Sequence, residues 1–543
     1  MARRAKPTKT MDQAEAVARF PHLAQYLQDI TLIVGEPTWV TALDRSMKGK
    51  APNVLYPVGD PIFIHVYRKE GEHTQYTVIE PKLTPELERL HNQIVDRMVE
   101  HAHRYPVPPK IEEAGDIIRK IFEEVVVVGD SASISNFGSS RIRLTADQYE
   151  EIWYFIYRNR VGYGKLEPLF YDPYLEDIHC TGLGKVKTIH KIFEMVYSNI
   201  EFTDDIELNK YILDASERVE RPVSDAHSVV DAIMPDGSRV NFIYGRELSL
   251  EGSSFTIRKF SEVPVSITQI VNWKTMSSEV AAYLWLCLEN GMNIFVCGET
   301  ASGKTTTLNA TATFIKPDDK IYSVENTPEV TLPHETWQHL VTREAGKATD
   351  VTIFDLLIAA LRSRPNYIIV GEIRGAEGNV AFQAMQTGHP VMSTFHAGNP
   401  HTMIQRLTGH PINVPIASID NLNVVLIQQA VSQGGHFVRR VLSITEIERY
   451  YDAEKKVITR EVFAWDPVND VHRFRGLYNS YILEKKIAMI RGYEDTREIY
   501  KELELRTRII DKLIENKVFD YFAVWNILKR FHEEGLRGLP FAV

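Results

Sequence analysis

Ile294-Phe295-Val296-Cys297-Gly298-Glu299-Thr300-Ala301-Ser302-Gly303-Lys304-Thr305-Thr306 joins four apolar residues to a glycine-bounded turn, and the turn to a helix-compatible run ending near Ile315. Four apolar residues bounded by a turn read as a short strand buried on both faces. The turn, Gly298 to Thr305, matches G-x-x-x-x-G-K-[ST] in full. Glycines let such a loop wrap with its N–H groups pointing inward, and the following helix adds its positive N-terminal dipole. Lys304 is placed to neutralise β and γ phosphates, and Thr305 to offer a hydroxyl to Mg²⁺. The stretch therefore predicts ATP or GTP held by Gly298, Glu299, Thr300, Ala301, Ser302, Gly303, Lys304, Thr305 and Thr306. A dinucleotide-binding turn is excluded, because G-x-G-x-x-G is absent here and a Lys-Thr pair has no task in it.

Working outward, Ile321 to Val324, Tyr367 to Val370 and Val391 to Thr394 are further short apolar runs separated by helical patterns. This alternation predicts an α/β fold whose parallel sheet is covered by helices. Ligands gather at the carboxyl ends of such strands. The first run ends at Glu325 and the second at Glu372, so one carboxylate is expected to hold the shell of Mg²⁺ and the other to orient or deprotonate an attacking water. Spacing does not assign which does which. The third run is framed by His389 and His396, and an imidazole there can read a γ-phosphate.

Before this core lie strand-like runs at Pro61 to Tyr67 and Gln75 to Ile79, helical patterns at Pro85 to His103 and Ile111 to Glu124, and an Asp236-Gly237 hairpin signal before Arg239 to Ile243. Pro106, Pro108 and Pro109 mark one boundary, and a linker is expected around Pro264. After the core, Arg497 to Lys517 and Tyr521 to Glu533 carry apolar stripes suited to core packing. The expected division is a front region at 1–109, an α/β domain at 110–262, the phosphate-binding domain at 263–461 and a helical extension at 462–543. The basic stretch Met1 to Thr10 reads as a solvated tail.

The chain has 543 residues, enough for about three domains. With 62 Lys and Arg against 72 Asp and Glu, the formal charge is −10, which argues against bulk nucleic acid as the main partner. Cys180, Cys287 and Cys297 have no C-x-x-C spacing, so neither a disulfide framework nor a tetracysteine zinc module is expected. No apolar run is long enough to cross a bilayer as a helix.

Taken in order, Gly162-Tyr163-Gly164-Lys165-Leu166-Glu167-Pro168-Leu169 with Asp172-Pro173, Met234 to Arg239, Phe255 to Phe260, the phosphate loop, Val324 to Glu329, Gly371-Glu372-Ile373-Arg374-Gly375 and Gly388 to His396 resemble the type II/type IV secretion ATPase family. The likeness runs from about Tyr163 to Tyr450. It implies a RecA-like P-loop motor domain preceded by a mixed α/β domain and followed by C-terminal helices. It also implies a homo-hexamer that hydrolyses ATP with Mg²⁺, and works beside a polytopic membrane platform protein and filament or secretion subunits. By the same resemblance Glu325 is the catalytic carboxylate, Glu372 the Walker B glutamate meeting Mg²⁺ through water, and His396 the histidine-box residue. Arg239 and Arg258 match arginines that reach the phosphates when domains close. Three departures stand out: Gly371 replaces the usual aspartate, Asn326 replaces a second acid, and the bacterial tetracysteine module is missing. The last, with the front region and the terminal helices, looks like the archaeal branch, whose members drive archaella, adhesive pili or related filaments from the inner face of the cytoplasmic membrane. The alternative is a conjugation-type motor translocating nucleic acid, which the negative charge disfavours.

Overall fold

The strand Ile294–Cys297 (β1 of the C-terminal unit) is buried at every position because both faces of its sheet are covered. Ile294 and Val296 enter one apolar cluster, while Phe295 and Cys297 enter another. A strand with two dry faces needs a continuous apolar run, and that is the pattern seen in its sequence. In chain order the remaining strands of this unit are Ile321–Glu325 (β2), Trp337–Val341 (β3), Tyr367–Glu372 (β4), Val391–Phe395 (β5), Val424–Gln433 (β6), His436–Tyr451 (β7), Lys456–Asp466 (β8) and Val471–Phe474 (β9). Their spatial order is β3-β2-β4-β5-β1-β6-β7-β8-β9. The first six run parallel and the last three extend the sheet antiparallel. The computed structural model describes residues 11–44, 47–48, 51–108, 111–129, 141–260, 263–343, 349–433 and 436–543, so the basic tail Met1–Thr10 lies outside the described residues.

The helices Ile353–Arg362, Glu377–Gln386 and Pro400–Thr408 cover one face. On the other lie Lys304–Ala312, Ser278–Glu289 and the terminal helices Ile499–Glu515 and Tyr521–Glu534. The stripe Ile499, Leu503, Ile510 and Leu513 is buried against this face, as core packing requires. The sheet continues past Val462 through β8 and β9 before the terminal helices begin. Buried Glu446 of β7 ties the sheet to the segments that cover it. Its carboxylate accepts from Tyr283 Oη at 2.8 Å, from Ser480 Oγ at 2.5 Å and from the backbone N–H of Tyr481 at 2.7 Å.

The chain divides into two compact units at Ser261/Glu262. The N-terminal unit is built on a ten-stranded sheet. Strands Asn53–Gly59, Ile62–Tyr67 and Gln75–Ile79 from the front region join it through a parallel pairing of Gln75–Ile79 with Glu194–Phe202. Asp172 sits beneath that sheet, fully buried. Its Oδ2 accepts from Tyr56 Oη at 2.8 Å and Tyr76 Oη at 2.7 Å, and its Oδ1 from the Tyr174 N–H at 2.8 Å. Lys259 Nζ caps the carbonyls of Leu169, Phe170 and Asp172. The Asp236-Gly237 signal does mark a hairpin: Val229–Ile233 pairs antiparallel with Arg239–Ile243.

Candidate functional site

Four neighbouring strands end at one edge of the C-terminal sheet. In the order β2, β4, β5, β1 they deliver Glu325, Glu372, His396 and the loop Gly298–Gly303. Parallel strands lie about 4.8 Å apart, so these groups are spread over roughly 15 Å of one sheet edge. Lys304, Glu325, Glu372 and His396 are thus brought to the same edge. His389 is not: it precedes β5 and sits at the opposite end of that strand, beside Thr387 Oγ1 at 3.2 Å.

The loop is shaped for a bound anion. A Cβ on Gly298 would lie 2.1 Å from the Gln428 carbonyl oxygen and 2.5 Å from Ser302 Oγ. Gly303 adopts φ +89°, the left-handed conformation glycine favours, as the chain enters the helix Lys304–Ala312. Ser302 Oγ is buried and lacks a hydrogen-bond partner. Lys304 is 9 % exposed, its Nζ donates to the Glu299 carbonyl at 2.9 Å, and burial lowers its pKa while Glu372 opposes the shift. A glycine-lined cradle, an orphan hydroxyl, a buried ammonium and a helix N-terminus are complementary to phosphate oxygens. Mg²⁺ usually takes one or two carboxylates alongside phosphate and water. Thr305 and Glu372 fit that donor set, and among the described residues no cluster of three or more His, Cys, Asp or Glu side chains offers a metal cage.

Two residues outside every motif pin the loop. Gln428 of β6 donates through Nε2 to the Ser302 carbonyl and accepts from Thr307 Oγ1, each at 2.7 Å. Arg439 of β7 donates through Nε to the Ala301 carbonyl at 3.1 Å, holding a non-glycine residue at φ 60°. Sequence spacing carries no signal for either, since both act through the pairing of distant strands.

Glu325 is 2 % exposed. Its Oε1 accepts from the N–H groups of Glu329 at 3.1 Å and Val330 at 3.0 Å, and its Oε2 lies 2.7 Å from His339 Nε2. The departure at Gly371 has a steric reason: a Cβ there would lie 2.9 Å from Glu325 Cγ. The β4–β5 pairing shifts register between Val370 and Glu372, and Thr394 Oγ1 donates to the Gly371 carbonyl at 2.6 Å. Such a shift re-aims the next side chain. Glu372 then meets Arg374 Nη2 at 2.6 Å and His396 Nε2 at 3.0 Å. Burial lowers the His396 pKa and nearby Lys304 lowers it further, against the pull of Glu372. Asn326, at the position of the missing second acid, accepts from Thr342 Oγ1 at 3.2 Å.

Arg239 and Arg258 lie in the N-terminal unit as directly opposed residues of adjacent antiparallel strands. Asp177 faces Arg258 from the strand on its other side. Burial raises the Asp177 pKa and Arg258 pulls it back, so one carboxylate moderates a pair of like charges.

The phosphate-loop strand at the centre of a doubly covered sheet, with acidic and histidine strand ends beside it, defines a P-loop nucleotide-binding protein of the α/β class. The family model described as type II/IV secretion system protein matches residues 163–518, and the chain belongs to that family. An uncharacterized protein of Methanocaldococcus jannaschii is 52 % identical over 540 residues, covering 97 % of this chain and 98 % of that one. The type IV secretion system protein PtlH of Bordetella pertussis is 34 % identical over 179 residues, 30 % of this chain and 52 % of its own. Among solved structures, the pilus retraction motor PilT with bound ADP is 20 % identical, covering 60 % of this chain and 88 % of that one, with a TM-score of 0.38. No helix among the described residues is long and apolar enough to cross a membrane.

Proposed function

We propose that this chain is a Mg²⁺-dependent ATPase that works as a homo-hexameric motor, pushing a polytopic membrane platform protein to assemble an archaeal pilus-like filament or archaellum. The observation that carries the catalytic part is the convergence of Lys304, Glu325, Glu372 and His396 on one strand-end edge around an anion-shaped loop. Family membership supports the motor part, and the relative from Methanocaldococcus jannaschii supports the archaeal branch. Its place is then the inner face of the cytoplasmic membrane, reached through the platform protein and the filament subunits.

In this reading Lys304 and the loop N–H groups, from Gly298 to Thr306, hold the phosphates. Bound Mg²⁺ supplies charge neutralisation at the phosphate oxygens, and Thr305 and Glu372 are the residues that would hold it, Glu372 through water. Glu325, anchored on three donors, takes the proton of the attacking water. His396, beside Glu372 at the same edge, presents an imidazole able to donate a hydrogen bond toward the transferring γ-phosphoryl group. Arg239 and Arg258 add positive charge from the N-terminal unit as the phosphoryl group transfers. Phosphate release by the purified protein with ATP and Mg²⁺ tests this. Steady turnover that Lys304→Ala abolishes is expected, and equal rates in the two proteins overturn the proposal.

A further inference from the structure

We infer that His339, on a strand outside every motif, is the positioning residue for the carboxylate of Glu325; the inference rests on the hydrolytic role proposed above. An ionised carboxylate has about four acceptor positions, two on each oxygen. The N–H groups of Glu329 and Val330 fill both positions on Oε1, and His339 fills one on Oε2 at 2.7 Å. The remaining acceptor position, on Oε2, is the one the proposed role assigns to the proton of the attacking water. His339 therefore shares the oxygen that does the chemistry and fixes the direction in which its free lone pair points.

The imidazole is itself held in orientation. β3 pairs parallel with β2, setting His339 opposite Ser323 and Val341 opposite Glu325. Side chains alternate along a strand, so Trp337 and His339 share a face. Their rings stack with centroids 4.8 Å apart and planes 22° apart, and Trp337 Nε1 donates to Ser323 Oγ at 2.8 Å. Because an ionised carboxylate only accepts, Nε2 carries the proton in this contact. Indole, imidazole and carboxylate form a short relay of fixed directions ending at Glu325. On the far side of Glu325, the absent side chain of Gly371 leaves room for its methylene group. Without His339, the Oε2 end would keep only the backbone bonds on the other oxygen and could turn toward that space.

A residue that aims the base acts on the chemical step and leaves ground-state binding of nucleotide untouched. In an ATPase assay of the full chain, His339→Leu is expected to lower kcat by about 10- to 100-fold, the range for losing a hydrogen bond to a charged group, with KM for ATP unchanged within about twofold. His339→Gln places an amide N–H near the lost Nε2 and should recover most of the rate, whereas His339→Asn, one methylene shorter, should not. Melting temperatures of all three identify any variant that fails to fold. Should the leucine variant fail, the glutamine and asparagine pair decides the matter, and equal rates for those two overturn the inference. Wild-type kcat in a folded His339→Leu protein overturns it as well, while leaving the functional reading intact. Absence of ATP turnover in the wild-type protein overturns that reading and this inference together.

Discussion

Replacing Gln428 by leucine is the sharpest test of how the phosphate loop is held. Its side-chain amide makes two hydrogen bonds of 2.7 Å, to the Ser302 carbonyl and from Thr307 Oγ1, and Gln428, Ser302 and Thr307 are all about 1 % exposed. Leucine has similar bulk but neither polar atom, so the substitution strands one buried carbonyl and one buried hydroxyl. Each stranded group costs about 1–3 kcal/mol, for a loss of roughly 2–6 kcal/mol. In a unit of this size, each kcal/mol lowers the melting temperature by about 2–4 °C, so a drop of at least about 4 °C is expected. Adding Thr307→Val removes one of the two stranded groups. The double variant should therefore melt higher than Gln428→Leu alone, although Thr307→Val by itself, which strands the Gln428 carbonyl oxygen, should be destabilising. That reversal of sign is the signature of a direct pair. Thermal melts followed by circular dichroism measure it. A single variant melting within about 1 °C of wild type, or a second substitution that only adds to the loss, would refute the reasoning.

Other outcomes are expected from the same geometry. Arg258→Ala should bind a fluorescent ATP analogue as wild type does yet lose most phosphate release; full activity would remove this arginine from the proposed chemistry. Gly371→Asp, which restores the residue usual at that position, should reduce turnover and stability, because its Cβ would sit 2.9 Å from Glu325 Cγ; a gain of activity would contradict the packing argument. Stability should fall as pH drops from about 6.5 to 4. Burial pushes His65 and His190 from 6.5 down to about 4 in the folded chain, so the unfolded chain binds protons first across that window. The same stabilisation is fully present above pH 6.5, and denaturant midpoints that match at pH 7 and pH 5 would show that these imidazoles titrate normally.

The phosphate loop and the two acidic strand ends were legible because each is written locally: an apolar run, a turn of fixed composition, a carboxylate at the next position. Strand order was not local, yet the parallel pattern already required Glu325, Glu372 and His396 to share one edge, and they do. His389 carries the same residue type as His396, and only the strand between them separates the two. Gln428, Arg439 and His339 escaped notice for a different reason. Each acts across a register between strands far apart in sequence, and an isolated Gln, Arg or His on a strand carries no mark of what it will face. The front strands gave no sign of their destination either, because the parallel pairing Gln75↔Tyr197 and Tyr76↔Ser198 has no turn to announce it.

The buried Asp172 makes the front of the chain inseparable from the rest of the N-terminal unit. Two of its three donors, Tyr56 and Tyr76, come from strands that precede residue 80, whereas Asp172 itself lies within the stretch that the family model matches. A shortened protein beginning near residue 110 would leave a carboxylate in an apolar interior with two vacant acceptor positions, and would bare the sheet edge at Glu194–Phe202. Segments that look like successive modules in the sequence are in this respect one cooperative body. Trimming the chain to the stretch the family model matches would remove part of what keeps the N-terminal unit, which carries Arg239 and Arg258, folded.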